Sequence, residues 1–427
     1  MMKDMVRACY RTNVRWRLLA AVFCLVLTAG YVSAYAQDQS SAELQRLFAK
    51  YRLEHGVLKP AKGILKHPYL VPSGPYFQLF DWDTYFMGVA LSYRKGMGKP
   101  LATSVEDFLE FVDENADERG YTPREIAPNG FWALPEMCKP FLAQSAVRAS
   151  LTTGNFQWIA PYYQKLADTL RFWEDTRQSP DGLFRWFNGV ESGVDNSPAV
   201  SDRPAAITEG VDLQCYIDRE YQAMAMIAAK LGKAADAAKY RRKTAALARL
   251  VQNKMWSSSD GMFFNIDSRT GQFVRVKEWT DFVPLWAGIA TAKQARVTIT
   301  RHLLNPMEFW SQYGIRTLAA GEPLYDPQSG YWRGPVWVIS NYLLMHGLMN
   351  YGYTKEALSL AGETVRLLVR DLKATGGMNE CYNPETGGPA GAGHFLSWDL
   401  LSEHMVQEAT TGKDPAALGR FEEDGAR

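Results

Sequence analysis

Histidine and cysteine are scarce, with six His and five Cys in 427 residues, and no HExxH motif or metal-spaced Cys/His cluster connects them. A glycine-rich phosphate loop and a GxSxG elbow are also missing. Zinc proteolysis, nucleotide use and serine hydrolysis therefore lose their usual signatures. Neither sign of charge is in excess, since 47 Lys plus Arg face 46 Asp plus Glu. Nothing is left over to neutralise a phosphate backbone, so no nucleic-acid partner is expected. After Gln37 the chain has no Ser/Gly linker, charge block or low-complexity stretch. One domain over 37–427 is the expectation.

A long apolar run occurs only near the start. Lys3, Arg7, Arg11, Arg15 and Arg17 precede the segment Leu18 to Val32, and Ala34-Tyr35-Ala36 offers a small-x-small cleavage site. Residues 1–36 read as a secretory signal peptide cut after Ala36, which implies a periplasmic or secreted protein with no stable membrane span once the signal is gone. An uncleaved anchor is the alternative. The segment holds five basic residues and one acidic one, so the remainder carries a net charge of −3. Cys9 and Cys24 leave with it; Cys138, Cys215 and Cys381 cannot all pair and read as buried thiols.

What the chain has in plenty is aromatic residues: 13 Trp, 21 Tyr and 20 Phe within a 47% hydrophobic composition. That is the balance of a packed globular protein, and flat rings suit both a core and a site that stacks on sugars. Apolar residues recur at three- and four-residue spacing over 212–231 and 234–256, with Gly232 as the stop between them. Similar patterns over 42–55, 82–95, 101–115, 140–152, 157–177, 279–293, 295–304, 335–351, 355–372 and 396–410 predict about twelve helices and almost no strand. Between them a glycine recurs with an aromatic close behind, at Gly74-Pro75-Tyr76, Gly120-Tyr121, Gly182-Leu183-Phe184, Gly261-Met262-Phe263 and Gly330-Tyr331. Each interval matches a helical hairpin plus a loop, so six hairpins closing into an all-α (α/α)6 toroid are expected, with a pocket built from loops at one end.

The chemistry left to find is that of carboxylates among aromatics. One loop, Phe187-Asn188-Gly189-Val190-Glu191-Ser192-Gly193-Val194-Asp195-Asn196-Ser197-Pro198, offers Glu191 and Asp195; another, Gly376 to Gly388, offers Glu380 and Glu385. Glycosidic cleavage needs one carboxylic acid to protonate the leaving oxygen and one carboxylate to attack or to activate water. Two aromatic clusters, Phe77 to Phe86 and Tyr331-Trp332-Arg333-Gly334-Pro335-Val336-Trp337, set Asp83 and Arg333 beside indoles. Asp212 and Asp399 open helices and read as caps, His346 as a core or rim residue, and Trp173, Trp256 and Trp286 as helix core.

Taken in order, Leu79-Phe80-Asp81-Trp82-Asp83, Glu191 to Pro198, Tyr331 to Trp337 and Glu380-Cys381-Tyr382-Asn383-Pro384-Glu385-Thr386-Gly387 resemble the motifs of glycoside hydrolase family 63. The likeness is greatest to its small bacterial members of the mannosylglycerate-hydrolase type, with the trehalases of the same clan more distant. It implies an inverting, exo-acting α-glycosidase acting on a small α-glucoside or α-mannoside, with Asp195 as general acid and Glu380 as general base. It also places Phe80, Trp82, Asp83, Gln144, Tyr331, Trp332, Gly334 and Trp337 around the sugar, Asp83 on hydroxyls and Gly334 through its carbonyl. Inversion requires the two carboxyl groups to stand roughly 6.5–9.5 Å apart, and this chemistry calls for no metal or cofactor. The partner implied is a small carbohydrate substrate.

Three other readings stand beside it. A trehalase-like enzyme is disfavoured because Tyr331-Trp332-Arg333 replaces the trehalase Gln-Trp-Asp. A polysaccharide lyase would use Arg333 against a uronate and His394 for the proton. A non-catalytic sugar-binding toroid would keep Trp82 and Trp332 and tolerate loss of Asp195 or Glu380.

Overall fold

The computed structural model describes residues 39–115, 117–131, 135–415 and 417–418. The expected signal peptide therefore lies outside the described residues.

About half of the chain is helical, and the helices sort into two kinds by burial. Asp81–Leu91, Val211–Lys230 and Val338–Asn350 are buried on nearly every side. Ala234–Lys254 buries only Ala237, Tyr240, Leu247 and Val251, one narrow stripe at helical spacing, and Thr354–Thr375 likewise packs one face inward. A helix apolar all round belongs inside, and one with a single stripe belongs at the surface. The buried helices touch in sequence: Asp81–Leu91 packs on Leu142–Thr153, that on Val211–Lys230, and that on Val283–Trp286. Contact continues through Val338–Asn350 to the tight turn Ser397–Leu401, which packs back on Asp81–Leu91. The outer helices each lie against an inner one, as Ala234–Lys254 does on Val211–Lys230.

The expected helical segments are present with shifted ends. Residues 279–293 resolve into the 3-10 turn Trp279–Phe282 followed by Val283–Trp286, and 295–304 into Ala292–Thr298 followed by a wider turn, Ile299–Leu303. Gly232 sits at φ 74° just past Lys230, as a helix stop requires. The three cysteines of the described chain are free and buried.

The near-absence of strands is corrected. Among the described residues, fifteen strands of two to five residues form six small sheets in the loops. Segments so short carry too few alternations to leave a period-two signal against the helical background. Trp256 is accordingly the first residue of a strand, Trp256–Ser257, and not the end of a helix. Among the described residues no helix is long and apolar enough to cross a membrane.

Two of these sheets matter for the site. Leu79–Phe80 pairs with Glu125–Ala127, which pairs with Gly130–Phe131, and from Phe80 the chain runs straight into Asp81–Leu91. Asn379–Tyr382 pairs with Pro389–Gly393, with a register shift between Asn379 and Cys381 that falls on Glu380. A bulge of this kind re-aims the side chain it carries.

Candidate active site

Trp82 and Asp83 lie in the first turn of their helix, and the residue before them fixes its start. One oxygen of Asp81 accepts from the Trp82 amide at 2.6 Å; the other accepts from the Lys139 amide at 2.7 Å. The Lys139 ammonium stands 3.2 Å from the Asp81 carboxylate and 5.1 Å from the Trp82 ring. Asp81 and Lys139 are both buried. Asp83 accepts from the Ser397 hydroxyl at 2.6 Å, and burial pushes its carboxyl up to about 7.

The second loop begins with a short helix, Gly189–Ser192, capped by the Asn188 side chain. Glu191 turns inward: it is fully buried, pairs with Arg177 at 2.8 Å and accepts from the Phe187 amide at 2.6 Å. Its carboxylate is spent on holding the loop. Gly193 follows at φ 79°, and a Cβ there would stand 2.7 Å from both Trp82 and Lys139. Only glycine fits a left-handed backbone pressed against that indole. Asp195 comes next in the cavity wall, where burial pushes its carboxyl up to about 6. Glu380 adds to that rise, while Lys139 and Arg124 oppose it.

Tyr331 adopts φ 59°, a costly conformation for a bulky residue. Its carbonyl accepts from the Trp337 indole at 2.9 Å and its hydroxyl donates to Glu380 at 3.0 Å. Trp332 stacks on Trp337 with centroids 3.7 Å apart and planes at 7°, and leans on Trp82 at 6.2 Å. Trp398 closes against Trp82 edge-on at 5.5 Å. Glu380 accepts from the Tyr76 and Tyr331 hydroxyls on Oε1, at 2.8 and 3.0 Å, and from the Ala392 amide on Oε2 at 3.1 Å. With both lone-pair directions of Oε1 taken, Oε2 keeps one for a further donor.

These groups wall one cavity of about 280 Å³. Of the residues expected from sequence, Phe80, Trp82, Asp83, Asp195, Tyr331, Trp332, Trp337 and Glu380 line it. Gln144 and Gly334 do not. Gln144 is fully buried, giving its amide hydrogens to the carbonyls of Pro140 and Tyr216 and accepting from Arg219. The Gly334 carbonyl accepts from the Thr317 amide, and its own amide donates to the Thr317 hydroxyl. Arg333 is engaged with the Asn196 carbonyl and Asp202, and His394 is exposed, so neither lyase candidate lines the cavity. Glu385 pairs with Arg316 at 2.8 Å and with the Tyr325 hydroxyl at 2.6 Å. Asp212 is the second residue of its helix rather than its cap, and accepts from the Trp186 indole at 2.9 Å. His346 is a core residue, 2.9 Å from Glu408.

Tyr76, Arg124, Glu125, Lys139, Phe395 and Trp398 line the cavity without having been singled out. A lysine just before Pro140 in an otherwise apolar segment, and a tryptophan at the start of a helical pattern, are the signals that could have marked Lys139 and Trp398. Tyr76 stood only as one instance of a repeated glycine-aromatic turn. Among the described residues no cluster of three or more His, Cys, Asp or Glu is placed to hold a metal ion.

The family model of the mannosylglycerate hydrolase MGH1-like glycoside hydrolase domain matches residues 105–398. The mannosylglycerate hydrolase MGH1 of Selaginella moellendorffii is 30% identical over 207 residues, 48% of this chain and 40% of that protein. The mannosylglycerate hydrolase of Thermus thermophilus is 31% identical over 147 residues, 34% of this chain and 32% of its own length. A probable mannosyl-oligosaccharide glucosidase of Schizosaccharomyces pombe is 27% identical over 235 residues, covering 51% and 29%. The matched part of the chain thus spans less than half the length of these curated relatives.

In fold, the chain is similar to a GH63 mannosylglycerate hydrolase from Thermus thermophilus in complex with glucose, with a TM-score of 0.64 at 18% identity over 87% of this chain and 99% of that one. Neutral trehalase Nth1 of Saccharomyces cerevisiae gives 0.63 at 18% identity, over 82% and 76%. The family match runs through most of the chain and takes in the loops that carry Asp195 and Glu380: the protein belongs to glycoside hydrolase family 63, in its mannosylglycerate hydrolase MGH1-like group.

Proposed function

We propose that this chain is an inverting, exo-acting α-glycosidase that hydrolyses a small α-glucoside or α-mannoside, with Asp195 as general acid and Glu380 as general base. The observation that carries the reading is the contrast between two carboxyl groups in the wall of one cavity. Asp195 is pushed up to about 6 by burial, which favours the protonated form an acid needs. Glu380 accepts from Tyr76, Tyr331 and Ala392, a set of donors that suits the acceptor a base must be.

In the reaction, the Asp195 proton passes to the glycosidic oxygen as the anomeric carbon–oxygen bond breaks. A water on the opposite face gives its proton to Oε2 of Glu380 as its oxygen bonds to the anomeric carbon, so the configuration inverts. Solvent then takes the proton from Glu380 and returns one to Asp195, which restores both groups. The indoles of Trp82, Trp332, Trp337 and Trp398 cover the apolar face of the ring and exclude bulk water, while Asp83 takes hydroxyl hydrogens. A cavity of about 280 Å³ suits one terminal sugar, in keeping with exo action. The helices would form an (α/α)6 toroid as one catalytic domain over 37–427, and the basic and apolar start of the chain would direct it to the periplasm or the exterior as a cleaved signal.

Proton NMR of the purified protein with mannosylglycerate, glucosylglycerate, trehalose and α-linked glucose and mannose disaccharides tests this reading. The expected first product is the β-anomer from at least one substrate. An α-anomer appearing first overturns inversion, and no product from any of them overturns the small-substrate assignment.

A further inference from the structure

A second cavity, of about 480 Å³, shares no lining residue with the first. Its walls are the hairpin Trp310–Ser311/Gly314–Ile315 with its turn at Gln312 and Tyr313, and one face of the helix Thr354–Thr375. Glu363, Arg366 and Arg370 fall on that face at helical spacing. Arg370 lies over the Tyr313 ring at 5.0 Å and donates to the Gly387 carbonyl, so this wall is tied to the loop that follows Glu380.

Its polar groups are not all satisfied. One oxygen of Glu363 accepts from the Ser359 hydroxyl at 2.9 Å, but the other is buried with no hydrogen-bond partner. An acceptor left in this state calls for a donor from whatever enters. Gln312 and Arg366 are exposed at the rim, and Trp310 presents a partly buried indole. Indole, carboxylate, guanidinium and carboxamide together match a polyhydroxylated ring: an apolar face to stack, hydroxyl hydrogens for Glu363 and hydroxyl oxygens for Arg366. An anion fits less well, because the acidic Glu363 stands in the same wall, where burial pushes its carboxyl up to about 7, and Arg370 is already engaged.

We propose that this cavity is a second, non-catalytic binding site for a neutral mono- or oligosaccharide, with Trp310 as its platform and Glu363 as its principal acceptor. Such a site would hold a glycan on the protein's surface independently of the residues that cleave it.

The test is calorimetric titration of the full chain carrying Glu380→Gln, using methyl α-D-glucoside, methyl α-D-mannoside, maltotriose and, separately, inorganic phosphate. At least one saccharide is expected to occupy two sites per chain. Adding Trp310→Ala or the isosteric Glu363→Gln weakens one of them by about tenfold or more and leaves the other. Trp310→Ala in the otherwise unaltered enzyme leaves turnover of its small substrate unchanged. A single site for every saccharide that survives both substitutions, or binding of phosphate alone, overturns the proposal. A chain that cleaves nothing yet binds a saccharide at one Trp310-dependent site would refute the glycosidase reading and retain this one.

Discussion

The hydroxyl of Tyr76 donates to Oε1 of Glu380 at 2.8 Å across 304 residues of sequence. The carboxylate thus takes its orientation from the loop just before Leu79–Phe80 as well as from its own hairpin. Tyr76→Phe removes the donor and little volume. A hydrogen bond to a charged group contributes about 1.5–3 kcal/mol, so kcat is expected to fall by about ten- to a hundredfold with KM nearly constant. Steady-state kinetics decides it; an unchanged kcat assigns Tyr76 to packing alone.

Asp195→Asn and Glu380→Gln each remove one proton-transfer group without changing size. Turnover is expected to drop by about 10²–10⁴-fold or more, with circular dichroism and melting temperature close to the parent. Activity like the parent in either variant removes that residue from the mechanism.

The pH dependence has two faces. Asp195, pushed up to about 6, must be protonated to act, so kcat/KM should decline as the pH rises through about 6. Stability follows the same sign. Asp195 and Asp83, the latter pushed up to about 7, prefer the neutral form in the folded chain, whereas unfolded aspartate titrates near about 3.9. Their contribution is complete below about pH 4 and is lost as the pH climbs through about 6 to 7. Urea unfolding across that window should show the loss, and Asp83→Asn should flatten it.

Gly193→Ala and Gly232→Ala separate two costs. Both positions have left-handed φ, 79° and 74°, but a Cβ at 193 meets Trp82 and Lys139 at 2.7 Å, whereas at 232 nothing lies within 4 Å. Gly232→Ala should cost about 1 kcal/mol, from backbone conformation alone. Gly193→Ala should cost more and abolish activity, because the Asp195 loop must shift. Equal losses in the two variants contradict the close approach at the indole.

Lys139→Met leaves the Asp81 carboxylate buried without its cation. The expected loss is about 3–5 kcal/mol, and adding Asp81→Asn should restore much of it. Denaturant unfolding of the single and double variants measures the coupling. A double variant no more stable than Lys139→Met assigns the loss to packing.

Periodicity alone made the helices legible but not their kind: 212–231 and 234–256 show the same three- and four-residue spacing, and only packing buries 211–230 on nearly every side while leaving 234–254 a single inward stripe. The two-residue strands were not legible, since pairs such as Leu79–Phe80 and Arg185–Trp186 are created by their partners and not by their own alternation. Gln144 shows the same division at the site. The resemblance to the family made it a candidate, yet the hydrogen bonds to Pro140, Tyr216 and Arg219 use it to join neighbouring helices.

The sequence by itself determined which residue types were available and in which order: carboxylates at 195 and 380, indoles at 82, 332 and 337, and helices long enough to carry them. Tertiary structure alone decided which of 46 acidic residues face a cavity and which are neutralised elsewhere. Glu191 is spent on Arg177 and Glu385 on Arg316, while Asp195 and Glu380 share one enclosure. The reason is physical. A carboxyl group's chemistry depends on its desolvation and on its donors, and for Glu380 a principal donor, Tyr76, arrives only when the two ends of the fold meet.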